Sequence, residues 1–205
     1  MYPLVETIKI SDGIPLYLEW HQRRMDYAFH VLFGTNNPFR LSELIVVENE
    51  FRKGVIKCRF LYNDREFVYE FTEYNPGQVK TLQLVHSDNI DYSHKYTNRT
   101  MINNLLEQKG AADDILIVRD GLITDTSYTN IVFFDGTSWV SPAEPLLEGT
   151  CRNRLLAEGK IKSTNIRPKD LKQYSVFRLI NAMIDFEEQG NTGVDKILEN
   201  DTNAC

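Results

Sequence analysis

Two Asp-Gly pairs restrict the possible folds of this chain more than any other feature. Asp120–Gly121 and Asp135–Gly136 each stand between runs of apolar residues. Because Asp-Gly readily adopts the positive φ angles of tight hairpin turns, each pair predicts a β-hairpin. Alternating apolar and polar residues predict a third hairpin, which joins Val55–Tyr62 to Glu66–Thr72. The chain is therefore expected to contain much antiparallel sheet.

The strand and helix patterns predict two domains. Residues 1–88 are predicted to form a small N-terminal α+β domain and residues 89–205 a larger C-terminal domain, because a polar stretch without periodicity separates them. The predicted fold class is therefore mixed α+β and α/β. The predicted helices are Glu19–Phe33, Leu41–Arg52, Met101–Lys109 and Thr150–Glu158. Further strands are predicted at Leu4–Ile10, Thr81–Val85, Asp114–Arg119, Asn130–Phe134, Ile161–Ile166 and Val176–Ile180. The polar tail after Gln189 is predicted to fray.

Charge and composition exclude several functional classes. The net charge of -6 argues against nucleic acid as the main partner, since phosphate binding needs a basic surface. No segment approaches the roughly 18 apolar residues of a membrane helix, and the start of the chain lacks the regions of a signal peptide. Three cysteines in no framework spacing indicate a reduced, cytoplasmic setting. The four histidines lack metal-ligand spacing, so no metal site is expected.

Three polar groups at set distances point to one cofactor. Asp125 follows Lys95 by 30 residues, and Gly149 follows Asn130 by 19. Pyridoxal 5′-phosphate (PLP) needs an amine for its aldehyde, a partner for its ring nitrogen and donors for its phosphate. A buried lysine can serve as both the amine and a proton shuttle. A carboxylate such as Asp125 would keep the ring protonated, and a helix that begins after Gly149 would offer amides to the phosphate.

Each of these groups alone also has an ordinary structural interpretation. Most lysines are solvated, an aspartate often begins a loop, and many helices begin with Gly-Thr. The segment Glu19–Met25 could likewise be a solvated helix face. His21 and Arg24 nevertheless lie three residues apart and share one side of that helix, where Arg24 could bind an anion through two donors. The combination of groups, rather than any single one, favours cofactor binding.

Four short motifs in this order resemble the class IV aminotransferases, the fold type IV PLP enzymes. The motifs are His-x-x-Arg, Lys-x-x-Asn-Arg, acid-x4-Asn and Gly-x-x-Arg, and the resemblance runs from about Val5 to Asp185. The family includes branched-chain and D-amino acid aminotransferases and aminodeoxychorismate lyase. The resemblance implies a two-domain D-amino acid aminotransferase-like fold with PLP in the cleft between the domains. It also implies a small amino acid-type substrate and a homodimer.

The resemblance further implies roles for individual residues. Lys95 would form the Schiff base with the cofactor and act as the acid and base of the reaction. Asp125 would pair with the pyridine nitrogen, and Asn130 would brace its loop. Arg24 would bind the phosphate. The remaining implied cofactor-binding residues are Thr129, Gly149, Thr150, Cys151, Asn181 and Ala182.

The sequence departs from the family pattern in three places. Asp125 stands where the family usually has glutamate, so its carboxylate must reach farther or its loop must move inward. Thr150 and Cys151 replace the more usual Ile-Thr, which removes one hydroxyl from the expected phosphate cluster. The usual opening strands and Gly-Asp-Gly turn before Val5–Thr7 are absent, so the N-terminus is expected to be shortened.

The resemblance favours a lyase over a transaminase. In both reactions the substrate amine displaces Lys95, which then removes the Cα proton. The lyase releases pyruvate and 4-aminobenzoate for folate biosynthesis, whereas a transaminase passes the amino group to a keto acid. The Lys-x-x-Asn-Arg motif and Asn181–Ala182 look more like the lyase branch. The alternatives are a branched-chain or D-amino acid transaminase, a catalytically inactive member of the fold, and an unrelated α+β ligand-binding domain.

Overall fold

The computed structural model of the protein describes residues 2–75, 77–184, 186–187 and 189–199. The chain forms two units: unit 1 comprises Met1–Pro76 and His94–Asn98, and unit 2 comprises Gly77–Ser93 and Arg99–Cys205. The chain thus leaves unit 1, returns to it for a short segment, and then completes unit 2. The predicted domain boundary near residue 88 falls within unit 2.

Unit 1 is built on a four-stranded antiparallel sheet with the strand order β2-β1-β3-β4. Its strands are β1 (Leu4–Ser11), β2 (Ile14–Pro15), β3 (Val55–Tyr62) and β4 (Phe67–Glu73). The hairpin predicted here is confirmed, since β3 and β4 pair in antiparallel register. Alternate residues of β3 are buried, as expected for a sheet with one face on a core.

One long helix covers this sheet. It runs as α1 (Leu18–Ala28) and continues as a π-helix over Phe29–Phe33. The predicted helix over Glu19–Phe33 is confirmed in position, although its last turns widen to π geometry. Its buried residues Met25 and Phe29 join the core that the sheet also lines. Gly34 ends the helix with a φ of 66°, a left-handed conformation that glycine adopts without strain.

The predicted helix over Leu41–Arg52 is wrong. The chain forms only a short helix, α2 (Leu41–Leu44), and a 3₁₀ turn at Asn49–Phe51. Between them Ile45 and Val47 are buried while Val46 is 64% exposed. This alternation has the period of extended backbone, which a run of β-branched residues also favours. The helix prediction was wrong because the buried residues repeat every second position, as in a strand, and not with the period of a helix.

The short segment His94–Asn98 is fixed beside β1. Tyr96 forms an isolated antiparallel bridge with Leu4. The amide of Val5 donates to the Lys95 carbonyl at 3.0 Å, and the Thr97 amide donates to the Pro3 carbonyl at 2.8 Å. The backbone of Lys95 is therefore held against the first strand of unit 1.

Unit 2 contains a nine-stranded sheet in which β10-β9-β8-β7-β6-β5-β13 follow one another and β11 pairs with both β8 and β12. The strands are β5 (Leu82–His86), β6 (Asp114–Arg119), β7 (Leu122–Thr126), β8 (Asn130–Phe134), β9 (Trp139–Pro142), β10 (Ile161–Thr164), β11 (Val176–Ile180), β12 (Thr192–Gly193) and β13 (Ile197–Leu198). Both Asp-Gly hairpins are confirmed, since β6 pairs with β7 and β8 with β9 in antiparallel register. Asp120 and Gly121 have the predicted positive φ angles, 52° and 75°.

The helices of unit 2 are short. They are α3 (Thr100–Leu106), α4 (Thr150–Ala157) and the 3₁₀ turns Glu107–Lys109, Pro168–Gln173 and Val194–Lys196. The predicted helices near Met101 and Thr150 are confirmed. Apolar residues of the central strands, among them Leu116, Ile131 and Phe133, form the largest core cluster of the unit.

Two predictions about unit 2 need correction. The strand predicted at Thr81–Val85 exists as β5, but it pairs in parallel with β6 and so belongs to unit 2 rather than to the first domain. The tail after Gln189 does not fray in its described part, because β13 pairs with β5 and Gln83 donates to the Leu198 carbonyl at 3.2 Å. Residues 200–205 of that tail lie outside the described residues. Among the residues that are described, no helix is long and apolar enough to cross a membrane.

Candidate active site

A buried carboxylate, Glu6 of β1, is the centre of a hydrogen-bonded cluster in unit 1. Arg24 of α1 donates to both of its oxygens, with Nε 2.9 Å from Oε1 and Nη2 2.5 Å from Oε2. Nδ1 of His21 lies 2.6 Å from Oε2. Glu6 and His21 are each only 1% exposed. Because His21 and Arg24 are one helical turn apart, both side chains reach the same carboxylate.

The cluster keeps Glu6 ionised. Burial by itself raises the pKa of Glu6, but the Arg24 guanidinium and the hydrogen bond with His21 lower it to about 2. Burial also lowers the pKa of His21, although Glu6 opposes that shift. The imidazole is then neutral near pH 7, and we assign its Nδ1 proton to the bond with Glu6 because a carboxylate can only accept. Arg24 is therefore held in one orientation by an ionised partner.

Lys95 lies near this cluster. It is half-buried, and its backbone pairs with Val5, the neighbour of Glu6. The positive charge of Lys95 lowers the pKa of His21, which indicates that the ammonium group and the imidazole are close. The structure thus brings Lys95 and Arg24, two of the predicted site residues, into one neighbourhood of unit 1.

The side chain next to Lys95 is also fixed. His94 is buried, stacks on Tyr27 with ring centroids 5.7 Å apart, and meets Tyr96 edge to face at 5.9 Å. Aromatic contacts of this kind stabilise by about 0.5–1.5 kcal/mol each beyond the burial of area. Together with the backbone bonds of this segment, they restrict the main chain from which Lys95 extends.

Asp125 is one of the buried carboxylates of unit 2. It stands near the end of β7 and is 4% exposed. Its Oδ1 accepts from Nδ2 of Asn130 at 2.8 Å, and its Oδ2 accepts from the Leu147 amide at 2.9 Å. Burial raises the pKa of Asp125 to about 7, even though these two donors and the charge of Arg152 act in the opposite direction. Asp125 is therefore a carboxyl group that a nearby cation could readily ionise.

Asn130 connects Asp125 to the start of α4. Besides its bond to Asp125, its Nδ2 donates to the Leu147 carbonyl at 3.0 Å. A Cβ atom at Gly149 would lie 1.9 Å from Oδ1 of Asn130, so any other residue here would displace the Asn130 side chain. The helix then begins with the buried residues Thr150 and Cys151, and no side chain of the described residues caps its first turn. Amides at such a helix start attract anions.

The other predicted site residues lie in two turns of unit 2. Thr129 is in the turn between β7 and β8, where its Oγ1 lies 2.7 Å from Oγ1 of Thr126. In the turn after β11, Oδ1 of Asn181 accepts from the Met183 amide at 2.8 Å, and Ala182 is half-buried. The polar side chains of Thr129 and Asn181 therefore form hydrogen bonds within their own turns.

The sequence pattern of the amino-transferase class IV family matches residues 3–187. The chain belongs to this family. An uncharacterized protein from Haemophilus influenzae strain Rd is 37% identical over 185 residues, which are 89% of this chain and 98% of that protein. The resemblance inferred from the four motifs is confirmed.

Solved class IV aminotransferase structures have the same fold. A protein from Haemophilus somnus 129PT, provisionally named 4-amino-4-deoxychorismate lyase, is 38% identical with a TM-score of 0.83, and the match covers 89% of this chain and 97% of that one. A provisionally named amino-acid aminotransferase from Mesorhizobium loti is 21% identical with a TM-score of 0.75, covering 97% and 100%. A hypothetical aminotransferase from Mycobacterium tuberculosis in its PLP-bound form is 15% identical with a TM-score of 0.75, covering 96% and 81%. The predicted fold class is thus confirmed, and enzymes of this family depend on PLP.

Sequence reasoning missed two groups of this class IV aminotransferase. Glu6 carried a signal, because it shares the inward-facing alternation of Leu4 and Ile8 although its side chain is acidic. The Leu147 amide, which donates to Asp125, gave no signal in the sequence, because a backbone amide is the same in every residue except proline.

Proposed function

We propose that this chain is a PLP-dependent lyase that converts 4-amino-4-deoxychorismate into 4-aminobenzoate and pyruvate. The observation that carries the proposal is Lys95, fixed beside β1 and close to the cluster of Glu6, His21 and Arg24. The 38% identity to the provisionally named lyase of H. somnus over 97% of that chain supports the choice of reaction.

The residues of the chain suit the chemical parts of PLP. Lys95 supplies an amine for the aldehyde. Asp125 offers the ring nitrogen a buried carboxylate whose two hydrogen-bond donors are both neutral, so a cationic partner would be favourable. In unit 1, Arg24 would offer a cation to the phosphate. In unit 2, the start of α4, where Gly149 lets Asn130 approach closely, would offer backbone amides.

The cofactor, when bound, supplies an aldehyde and a ring that accepts electrons. Within the chain, the Nζ atom of Lys95 would take the proton from the substrate carbon that bears the amine and return it to the departing group. Loss of that proton and of the enolpyruvyl group, which leaves as pyruvate, converts the substrate ring into 4-aminobenzoate. Arg24, held by Glu6, would fix the phosphate, and Asp125 would hold the proton of the ring nitrogen in place.

Covalent trapping tests the cofactor proposal. After incubation with PLP and reduction with borohydride, the mass of the reduced cofactor is expected on the peptide that contains Lys95. Lys95→Ala should abolish the labelling, whereas Lys53→Ala, at an exposed lysine outside the cluster, should leave it unchanged. A wild-type protein that takes up no label would contradict the proposal.

Product analysis then separates the candidate reactions. The protein with PLP is incubated with aminodeoxychorismate and, separately, with a panel of amino acids and 2-oxoglutarate. Pyruvate and 4-aminobenzoate without amino-group transfer are expected. Transfer to 2-oxoglutarate would instead establish the transaminase alternative, and labelled Lys95 with neither product would indicate an inactive member of the fold.

We also propose that the protein is a cytoplasmic homodimer that serves folate biosynthesis. The resemblance to the family supports the dimer, and the two described cysteines, which are buried and unbridged, are compatible with a reducing compartment. Light scattering at micromolar concentration should give twice the mass of the chain. Growth of a strain that lacks its own lyase, restored by this chain without added 4-aminobenzoate, would support the pathway.

A further inference from the structure

Arg152 is a buried arginine whose role the sequence left open. It lies in α4 and is 3% exposed. Its Nε donates to Oγ of Ser141 at 3.1 Å, and its Nη2 donates to the Pro142 carbonyl at 2.9 Å. Its Nη1 lies 2.9 Å from Oε2 of Glu148. One guanidinium thus joins the first turn of α4 to the end of β9 and to the loop before the helix.

Arg152 is connected to the neighbours of both groups that donate to Asp125. Leu147, whose amide donates to Asp125, immediately precedes Glu148. Ser141, which accepts from Arg152, donates to the carbonyl of Ile131 at 3.3 Å, and Ile131 follows Asn130, the second donor. A change at position 152 would therefore loosen the backbone on both sides of the Asp125 carboxylate.

We propose that Arg152 is a positioning residue for Asp125, whose carboxylate form it favours by fixing both donors and by its own positive charge. The two effects act in the same direction, because each favours the ionised carboxyl group. The proposal rests on the proposed function only for its consequence, the pairing of Asp125 with the cofactor ring. The effect of Arg152 on the ionisation of Asp125 itself belongs to the cofactor-free protein.

The other charged groups around Asp125 allow a matched comparison. Glu148 raises the pKa of Asp125 and so opposes Arg152, and its side chain is 60% exposed. On β6, the buried Asp114 lies next to the turn after β7, where the hydroxyls of that turn oppose the rise in its pKa that burial causes. Arg99 donates to the Ser127 carbonyl in the same turn at 2.8 Å. Of these groups, Arg152 and Glu148 provide variants with opposite expected signs.

The test is a titration of the Asp125 carboxyl carbon by ¹³C NMR in the cofactor-free protein, with its signal identified by its loss in Asp125→Asn. The wild-type midpoint is expected at a pH of about 7. Arg152→Met should raise it by about 1 pH unit or more. Arg152→Lys, which keeps the charge but not the planar set of donors, should raise it less. Glu148→Gln should lower it by a few tenths of a unit, roughly the effect of a partly screened charge.

Several results would overturn the proposal. They are an Arg152→Met midpoint equal to that of the wild type, an Arg152→Lys midpoint no lower than that of Arg152→Met, and a Glu148→Gln midpoint that moves upward. If Arg152→Met does not fold, Arg152→Lys and Glu148→Gln decide, because one keeps the charge and the other alters an exposed side chain. A protein whose Lys95 is not labelled by PLP and borohydride refutes the proposed function, whereas the titration still decides the role of Arg152.

Discussion

In each unit a buried carboxylate is hydrogen-bonded to a predicted site residue, Glu6 to Arg24 and Asp125 to Asn130, and the two carboxylates differ in their partners. Glu6 in unit 1 binds a guanidinium at two points and an imidazole at a third, and its pKa falls to about 2. Asp125 in unit 2 accepts from one amide side chain and one backbone amide, and its pKa rises to about 7. The two groups are almost equally inaccessible, with 1% and 4% exposed.

The comparison indicates that the groups hydrogen-bonded to a buried acid, rather than its depth of burial, decide whether the acid is charged. A directly bonded cation compensates the loss of hydration, and two neutral donors compensate it only in part. Glu6 is therefore suited to a fixed structural task, which is to orient Arg24. Asp125 retains a need for positive charge, as the proposed partner of a protonated ring nitrogen should.

Removal of the Glu6 carboxylate should have the greatest effect on stability. Glu6→Ala should lower the free energy of unfolding at pH 7 by about 5 kcal/mol, because it leaves the largely buried Arg24 without its counter-ion. Chemical denaturation measures the change. In the double variant Glu6→Ala with Arg24→Met, part of the loss should be recovered, since no uncompensated charge remains. Strictly additive losses would show that the ion pair is not the reason.

The pH dependence of stability should separate the two carboxylates by sign. Between the unfolded pKa of about 4 and the folded pKa of about 7, native Asp125 binds more protons than the unfolded chain does. Its contribution to stability is therefore lost as the pH rises through that window, and amounts to roughly 4 kcal/mol in the cofactor-free protein. Glu6 acts oppositely: its contribution is present above pH 4.5 and is lost as the pH falls towards about 2.

Denaturation curves between pH 4 and 8 measure this contrast. Asp125→Asn should remove most of the fall in stability between pH 4 and 7, because the side chain no longer titrates. Glu6→Gln should leave that fall in place and should flatten the acid side instead. An Asp125→Asn protein with the same slope as the wild type would mean that another group titrates in this window.

A methyl group added at position 149 would test how the Asn130 donor affects the pKa of Asp125. Gly149→Ala should cost about 1–3 kcal/mol, because its Cβ atom would overlap Oδ1 of Asn130 and displace that donor. With one donor displaced, the titration midpoint of Asp125 should also move upward. Gly190→Ala, where no atom lies within 4 Å of the added Cβ, is the matched control and should change stability by less than about 0.5 kcal/mol. Equal effects at the two glycines would contradict the close approach to Asn130.

The smallest expected effect concerns the turn that follows Asp125. Thr129→Val removes the hydroxyl that lies 2.7 Å from Oγ1 of Thr126, and should cost about 1 kcal/mol. Thermal unfolding measures it. Thr137→Val, in the exposed turn between β8 and β9, is a comparison for a hydroxyl that water can replace, and its cost should be smaller. A larger cost at Thr137 would show that burial does not set the difference.

The sequence predicted features that depend on local chemistry and missed those that depend on distant partners. Asp120 and Gly121 both have positive φ angles, and Gly136 has one in the second turn, so both hairpins of unit 2 were predictable from two residues each. The position of β5 was not, because its partner β6 lies about thirty residues further on and either sheet could accept an apolar strand. The false helix after Leu41 arose where the local pattern was short and the core decided the conformation.

The candidate site shows the same division. Lys95, Asp125, Asn130 and Gly149 could be proposed because their types and spacing match a chemical need. Their roles as cofactor-binding residues stay predictions. The partners that set the properties of these groups, such as Glu6 for Arg24 and Leu147 for Asp125, are distant in the chain or act through the backbone. Spacing alone carries no information about such partners.

The excursion of His94–Asn98 back to unit 1 has a genetic consequence. A gene divided at any single codon cannot yield both units whole, since Lys95 is encoded in the middle of the message but its backbone pairs with the first strand of the protein. An exchange of either unit with a homologue must therefore transfer two separate segments of the gene. Recombination that keeps β1 together with residues 94–98 would preserve this backbone pairing.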